Sequence, residues 1–360
     1  MVYVWIDALT NYITALDYGE NSNNFKSFWP ADVQLVGKEI TRFHVIYWPM
    51  ILMALDLPMP KQIFSHGWLL MESDKMSKSK GNVIYPDFLI ENYGSDSLRY
   101  YLMREVPFGS DGQFTPDTFI NRINNDIVND FANLVNRTVV MANKYFDGTV
   151  VSSNLNYAEK IELREHLKVA IQKHKITMEN LEFSKNLENS WGFISKINKF
   201  IDLTTPWVLI GVDNEKLNSI LFELLNSIKN VIVFITPYVP KLCIKACEQI
   251  NVMTTMGIKQ LEEEEPSFKV AQKPSPLYMR LDPALECEKI KMQMKKQHSH
   301  THETKVSFED TSKYEVKVGL ILSCESHKET KRLLISRVDV GNKILTIVSG
   351  FGQVYTSKEL

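Results

Sequence analysis

At 360 residues the chain is long enough for two or three domains, and its 44% hydrophobic content excludes a disordered polymer. Its 41 Lys+Arg nearly cancel 43 Asp+Glu, leaving −2 at pH 7, so no global field draws it onto nucleic acid and any such contact rests on local patches. Met1 runs straight into VYVWIDALTNY with no signal-peptide features, the apolar runs look too short or too charged to span a membrane, and the cysteines at 243, 247, 287 and 324 form no C-x-x-C pair, which argues for a reducing cytoplasm and against a zinc site.

In chain order, VYVWI at 2–6 reads as a buried strand and ADVQLVG at 31–37 as a second. KEITRFHVIYWPMILMAL shifts to helical periodicity, and KQIFSHGWLL at 61–70 reads as a third strand. Strand, helix, strand at this spacing predicts a parallel α/β sheet, whose ligands bind beyond the carboxyl ends of the strands. Both VGKE and HGWLLMESDKMSKS lie at such ends. PDFLIENYGSDSLRYYLMREV reads as one helical run opened by Pro86, and a longer one runs from a Thr-Pro-Asp start to Gly148. Amphipathic helices over 157–181, 184–203, 214–236 and 240–250 complete a bundle. LEEEEPSFKVAQKPSPLYMRL reads as a charged, proline-bearing linker, followed by a helix-like stretch at 283–297 and the polar run KKQHSHTHETK. Histidines 298, 300 and 302 in such a run are more commonly solvated than metal ligands. The remaining residues alternate with a period of two, with Gly341-Asn342 as a hairpin turn, and predict a small β-barrel.

The segment SDKMSKSKGNVIY is by composition a solvated basic loop. Its order, Lys-Met-Ser-Lys-Ser directly after a strand, is more specific, and resembles the KMSKS signature of class I aminoacyl-tRNA synthetases. With YVWIDALTNYITAL, LVGKEITRFHVIYWPMIL and IFSHGWLLMESDKMSKSKGN, the chain resembles the bacterial methionyl-tRNA synthetases from residue 2 to its C-terminus. The resemblance implies a fold class: the second half of a class I Rossmann-like α/β catalytic domain over 1–115, a helical anticodon-binding bundle over 116–260, a linker over 261–304 and a partial OB-fold tRNA-binding barrel over 305–360.

The resemblance also implies site residues. Trp5, Ala8, Tyr12, Ile40 and His44 match the methionine pocket, although Leu9 stands where the family often has proline. Aromatic walls suit a polarisable thioether. A methylene-scale difference gives only about 10–200-fold discrimination, so a polar group aimed at the sulfur is needed, and Tyr12 is the candidate. Taken without the resemblance, Trp5, Tyr12 and His44 read as satisfied core residues. Gly37, Glu39, His66, Gly67 and Lys78 match ATP contacts, though the glycines would also serve ordinary turns. Lys75 and Lys78 are the catalytic candidates, with Gly81 letting the loop turn: flexible ammonium groups meet phosphate oxygens as the methionine carboxylate displaces pyrophosphate, which Mg²⁺ neutralises. No enzyme nucleophile is required. Asn133 and Arg137, four apart on one helix face, and Pro206-Trp207 match anticodon readers, supplying edge hydrogen bonds and a stacking surface; alone they would be a polar face and a core aromatic. The C-terminal segment implies tRNA binding and a homodimer contact, with Lys328 where many members have proline.

The family's H-x-G-H signature does not occur in the sequence. The abrupt strand at Val2 and the short barrel fit a chain incomplete at both ends, so the expectation is that this polypeptide alone is inactive or works beside a complementary piece. Two alternatives stand beside that reading. One is a class I synthetase for valine, isoleucine or leucine, which lacks this W-x-D-A and F-H pairing. The other is a non-catalytic tRNA-binding fragment or subunit.

Overall fold

The computed structural model describes residues 3–20, 22–71, 74–75, 84–253, 257–262, 265–300, 318–327, 330, 332–353 and 355–357. The chain divides into two compact units, 1–301 and 302–360.

The larger unit opens on helix α1 (Val4–Thr14) where the sequence predicted a strand at 2–6. Leu9 and Ile13 are buried one turn apart, and Trp5, Tyr12 and Leu16 continue their stripe against Trp29 and Trp48. Val4 and Ile6 are exposed instead. The apolar residues follow a helical period that a five-residue window is too short to reveal.

Helix α2 (Asn23–Phe28), capped by the Ser22 hydroxyl, leads into β1 (Val33–Gly37). A 3-10 turn (Lys38–Ile40) and a π-helical turn (Phe43–Tyr47) run into α3 (Trp48–Ala54), and the chain returns as β2 (Gln62–His66). The two strands pair in parallel, from Val33 opposite Gln62 to Gly37 opposite His66. This is the expected strand–helix–strand unit, with both carboxyl ends side by side. The strand expected over 61–70 is in fact two. At Gly67 a Cβ would lie 2.1 Å from the Ser110 carbonyl oxygen, because the backbone of 110–111 crosses there. Beyond that crossing β3 (Leu69–Met71) joins another sheet, antiparallel to β4 (Asp74–Lys75) and parallel to β5 (Gly112–Phe114). The helix expected from Pro86 also breaks, into α4 (Pro86–Tyr93) and α5 (Ser95–Glu105). Gly94 between them has φ +80° and ψ 153°, a conformation that side chains resist.

Helix α6 (Pro116–Arg122) starts at Thr115, whose hydroxyl accepts from the Thr118 N–H. It widens into a π-helical stretch (Ile123–Ala132) and continues as α7 (Asn133–Phe146), which ends at left-handed Asp147 followed by Gly148 at φ +77°. After β6 (Thr149–Val151) come α8 (Ala158–Glu179), α9 (Phe183–Thr204), α10 (Asn214–Ile235) and α11 (Pro240–Ile250), close to their predicted bounds. Their apolar faces form the largest core. Helix α10 is long and apolar enough to cross a membrane, which the sequence reading did not allow for, but 94% of its apolar window is buried inside the bundle.

The stretch read as a linker packs onto this unit over 265–300. Strand β7 (Ser267–Lys269) pairs antiparallel with β6 and buries Phe268. The Asn124 amide exchanges two hydrogen bonds of 2.9 Å with the Leu281 backbone. Helix α12 (Pro283–His300) lies against α6, and the Tyr93 hydroxyl donates to Glu286 at 2.7 Å. Charge and proline dominate this segment's composition, and single anchors such as Phe268, Val270 and Leu277 fix it.

The smaller unit is an antiparallel sheet of β8 (Leu320–Ser326), β9 (Leu334–Asp339) and β10 (Ile344–Ser349), with β9 central. The predicted turn follows β9: Gly341 has φ +92°, and its N–H donates to Asp339 Oδ1 at 2.8 Å. Leu334 and Ser336 are the buried residues among these strands, while Leu320, Ile344 and Val348 are exposed.

Candidate active site and tRNA interface

Helix α1, the 3-10 turn and the π turn bring four of the five predicted methionine-pocket residues together. The Trp5 ring stacks on Phe43, centroids 3.8 Å apart and planes 8° off parallel, and meets His44 edge-on at 6.3 Å. Tyr12 meets His44 edge-on at 5.6 Å, with its hydroxyl 2.8 Å from Nε2. The buried His44 ring also places Nδ1 3.0 Å from the Ile40 carbonyl oxygen. A carbonyl only accepts, so in the neutral ring Nδ1 carries the proton and Nε2 accepts from Tyr12. Burial raises the Tyr12 phenol above its ordinary value, keeping it a hydroxyl at neutral pH. Ala8 lies on α1 one turn before Tyr12 and is exposed. Phe43 is the first residue of the F-H pair that the resemblance marked beside His44, but the sequence gave no sign that it stacks on Trp5.

Of the five predicted nucleotide residues, Gly37, Glu39, His66 and Gly67 gather at the carboxyl ends of β1 and β2. Gly37 is directly opposite His66, which is exposed, with Nδ1 2.9 Å from the Gly67 carbonyl oxygen. Neither glycine has a positive φ, and at Gly67 it is space that matters. Gly37 has φ −70°, and a Cβ there would lie 2.8 Å from Glu39 Oε2, so the Glu39 side chain folds back over it. Gly67 makes room for the backbone of 110–111. Around Glu39 lie residues the sequence reading did not select. The Trp68 indole donates to Glu39 Oε2 at 2.9 Å, and Asp111 accepts from the Trp68 N–H at 2.8 Å and from Lys38 Nζ at 2.6 Å. Lys38 and the Trp68 N–H hold the Asp111 carboxyl below the usual carboxylate range. Lys38 and Trp68 stand beside residues already chosen in GKE and HGW, but nothing local marks Asp111.

Of the two catalytic candidates, Lys75 lies in β4 with its backbone paired to Leu70. Its side chain, Lys78 and Gly81 lie outside the described residues. So does Lys328, as do the side chains of histidines 298, 300 and 302.

In the bundle, Asn133 is exposed and Arg137 half-buried, one turn apart on α7. Thr205 in the left-handed region stops α9, and buried Pro206 starts a one-turn helix that leaves Trp207 47% exposed. Trp207 is therefore not the core aromatic that its sequence surroundings allowed. Asn198 on α9 reaches the Asp130 carbonyl at 3.4 Å, tying that helix to the π stretch just before Asn133. Among the described residues no hydrogen bond, ion pair or ring contact joins Trp207 to Asn133 or Arg137. Among the described residues no three His, Cys, Asp or Glu side chains converge as metal ligands. Burial pushes the Cys247 thiol up to about 11 and raises Cys243 and Cys287, so these thiols stay protonated inside the fold.

The family model for class I tRNA synthetases (M) matches residues 1–139, and that described as "Putative tRNA binding domain" matches 316–360. Methionine--tRNA ligase 1 of Bacillus anthracis is 44% identical over 100% of this chain and 57% of its own length; the Bacillus subtilis enzyme matches with the same identity and coverage. The chain thus spans somewhat over half the length of the curated relatives it matches. Among solved structures, Mycobacterium tuberculosis methionyl-tRNA synthetase in complex with methionyl-adenylate superposes with a TM-score of 0.74 at 31% identity, covering 77% of this chain and 56% of that one. The apo form of that enzyme gives 0.73 at 28% identity, over 79% of this chain and 56% of its own. Matched in sequence along its whole length and in fold over most of it, the chain is similar to the methionyl-tRNA synthetases among the class I tRNA synthetases.

Proposed function

We propose that the chain carries the methionine pocket, the Lys-Met-Ser-Lys-Ser segment and the tRNA-reading surfaces of a methionine--tRNA ligase acting in the cytoplasm. The observation that carries this reading is the convergence of Trp5, Tyr12, Ile40 and His44, from two separate segments, in one aromatic cluster that follows the carboxyl end of β1. Methionine enters with its thioether among Trp5, Tyr12 and His44, with Ala8 at the rim. ATP, entering as its magnesium salt, lies across Gly37, Glu39, His66 and Gly67. The methionine carboxylate then attacks the α-phosphorus, the bond to the bridging oxygen breaks, and pyrophosphate leaves. Lys75 and Lys78 stabilise the charge that develops on the phosphates, and positioning supplies the rest of the barrier reduction. The methionyl group passes from the adenylate to the terminal ribose of tRNA(Met), held by Asn133, Arg137, Pro206 and Trp207 and by the C-terminal sheet.

The sequence contains no H-x-G-H, and the relatives are longer. Leu35, in the middle of β1, is 55% exposed, although parallel strands are ordinarily covered on both faces. Both points support a nucleotide site shared with further residues. The exposed Leu320, Ile344 and Val348 of the smaller unit support its use as a homodimer contact.

Methionine-dependent exchange of pyrophosphate into ATP tests the reading. The chain should show little exchange alone and gain it when joined to the amino-terminal half of a Bacillus relative; Lys78→Ala should then slow it at least a hundredfold. Rapid exchange by the chain alone would overturn the shared site. Specific tRNA binding with no exchange in the joined protein would favour the non-catalytic reading, and exchange driven by valine, isoleucine or leucine would replace methionine as substrate.

A further inference from the structure

We infer that Asp111, Lys38 and Trp68 form a clamp that positions the Glu39 carboxylate for the ribose hydroxyls of the nucleotide, an inference that rests on reading Glu39 as a nucleotide contact. The members arrive from three places in the fold. Lys38 and Glu39 follow the end of β1, Trp68 stands at the crossing from β2 to β3, and Asp111 immediately precedes β5. Gly67 lets the last two meet, since any side chain there would collide with the Ser110 carbonyl.

Three hydrogen bonds converge on Asp111, and a fourth leads from the Trp68 indole to Glu39. Both Asp111 oxygens lie 2.6 Å from Lys38 Nζ, and Oδ1 also accepts from the Trp68 backbone N–H at 2.8 Å. These contacts fix the backbone from which the indole projects. Lys38 Nζ also lies over the indole, 3.9 Å from its centroid. A cation on that face withdraws electron density from the ring and strengthens its N–H as a donor. That N–H donates to Glu39 Oε2 at 2.9 Å, fixing the rotation of a carboxylate already folded over Gly37. A carboxylate held in one orientation accepts from neighbouring sugar hydroxyls with less ordering on binding than a mobile one.

The Lys38 and Asp111 side chains are 38% and 36% exposed, and ion pairs so exposed contribute little to stability. Their position at the ligand end of the sheet accounts for them better than stability does. The clamp residues are positioning residues: none is assigned contact with the reacting atoms.

The full ¹⁵N-labelled chain, joined to the amino-terminal half of a Bacillus relative and titrated with ATP and with its 2′- and 3′-deoxy forms, tests this. The Trp68 indole N–H is the probe in every protein that keeps Trp68, and the loss of its signal in Trp68→Phe assigns it. Methionine is titrated separately. Glu39→Gln should remove the preference for ATP over the deoxynucleotides. Trp68→Phe, followed by backbone N–H signals, and Asp111→Ala should weaken ATP about tenfold and bring that preference toward one, with methionine affinity unchanged. A merely structural role would lower thermal stability without moving the ribose preference. If Glu39→Gln abolishes the preference while Trp68→Phe and Asp111→Ala keep it, the clamp is refuted and the nucleotide reading stands. If ATP neither shifts the indole signal nor binds saturably to the wild-type chain joined to the amino-terminal half of a Bacillus relative, both fall together.

Discussion

His44 has both ring nitrogens engaged although it is 2% exposed, and each partner comes from a different segment. Removing the Tyr12 hydroxyl leaves Nε2 facing the protein interior without its donor. An unsatisfied buried acceptor costs about 1–3 kcal/mol, so Tyr12→Phe should lower the urea midpoint by a corresponding amount. The same change should reduce discrimination between methionine and leucine in the exchange-competent enzyme, because the ring alone supplies only hydrophobic contact. Unchanged stability together with unchanged selectivity would show that the hydroxyl serves neither role. Trp5, Tyr12, Ile40 and His44 were legible in the sequence because the resemblance gave each a position. Phe43 was marked only through the F-H pair and Asp111 not at all, because their contacts come from partners brought close by folding: the Trp5 face for one, Lys38 and the Trp68 N–H for the other.

Helices α8 and α10 are joined by a charge cluster that their apolar periodicity conceals. Glu223, 1% exposed, accepts from Arg164 through both oxygens at 2.8 and 2.9 Å. It also lies 3.3 Å from Lys160 Nζ, and Lys160 is 3% exposed and donates to the Ser153 carbonyl at 2.8 Å. Replacing Glu223 by leucine strands a buried ammonium group. Breaking one side of a buried pair typically costs about 3–5 kcal/mol, and chemical denaturation should register a loss of that size. A second element-level contact depends on pH. Burial lowers the His174 pKa below its ordinary 6.5, against a smaller opposing effect from the Asn186 amide, which lies 3.0 Å from Nδ1. The unfolded chain therefore takes up this proton first as pH falls. The stabilisation is complete above the unfolded value and is lost as pH drops from there through the depressed folded value. Melting temperature should decline on acidification below about pH 6.5, and His174→Gln should flatten that decline. The helices holding these contacts were readable from 3.6-residue periodicity. The start of the chain was not, because VYVWI fits a strand as well as a helix until Leu9, Ile13 and Leu16 extend the stripe. Breaks at Gly67 and Gly94 likewise depend on a crossing backbone and on a left-handed residue that periodicity does not reveal.

Across the whole chain, a net charge of −2 leaves the proposed tRNA binding to local surfaces, which makes the exposed Trp207 the sharpest place to test the bundle's part. The residue is held outward by design of its neighbours: Thr205 ends α9 in the left-handed region, and buried Pro206 fixes the turn. Truncating an exposed side chain beyond a well-anchored proline changes folding stability within about 0.5 kcal/mol. Stacking an unpaired base on an aromatic ring is worth about 1–3 kcal/mol, so the same truncation weakens a stacked complex roughly five- to 150-fold. Trp207→Ala should therefore keep the wild-type melting temperature while losing most affinity for tRNA(Met), measured by filter binding at one fixed salt concentration. A tRNA with a substituted anticodon should bind the wild-type chain weakly and should lose little more on Trp207→Ala. If the variant instead weakens both tRNAs equally, Trp207 contributes general surface rather than anticodon reading. Undiminished binding of tRNA(Met) would move recognition away from this end of the bundle altogether.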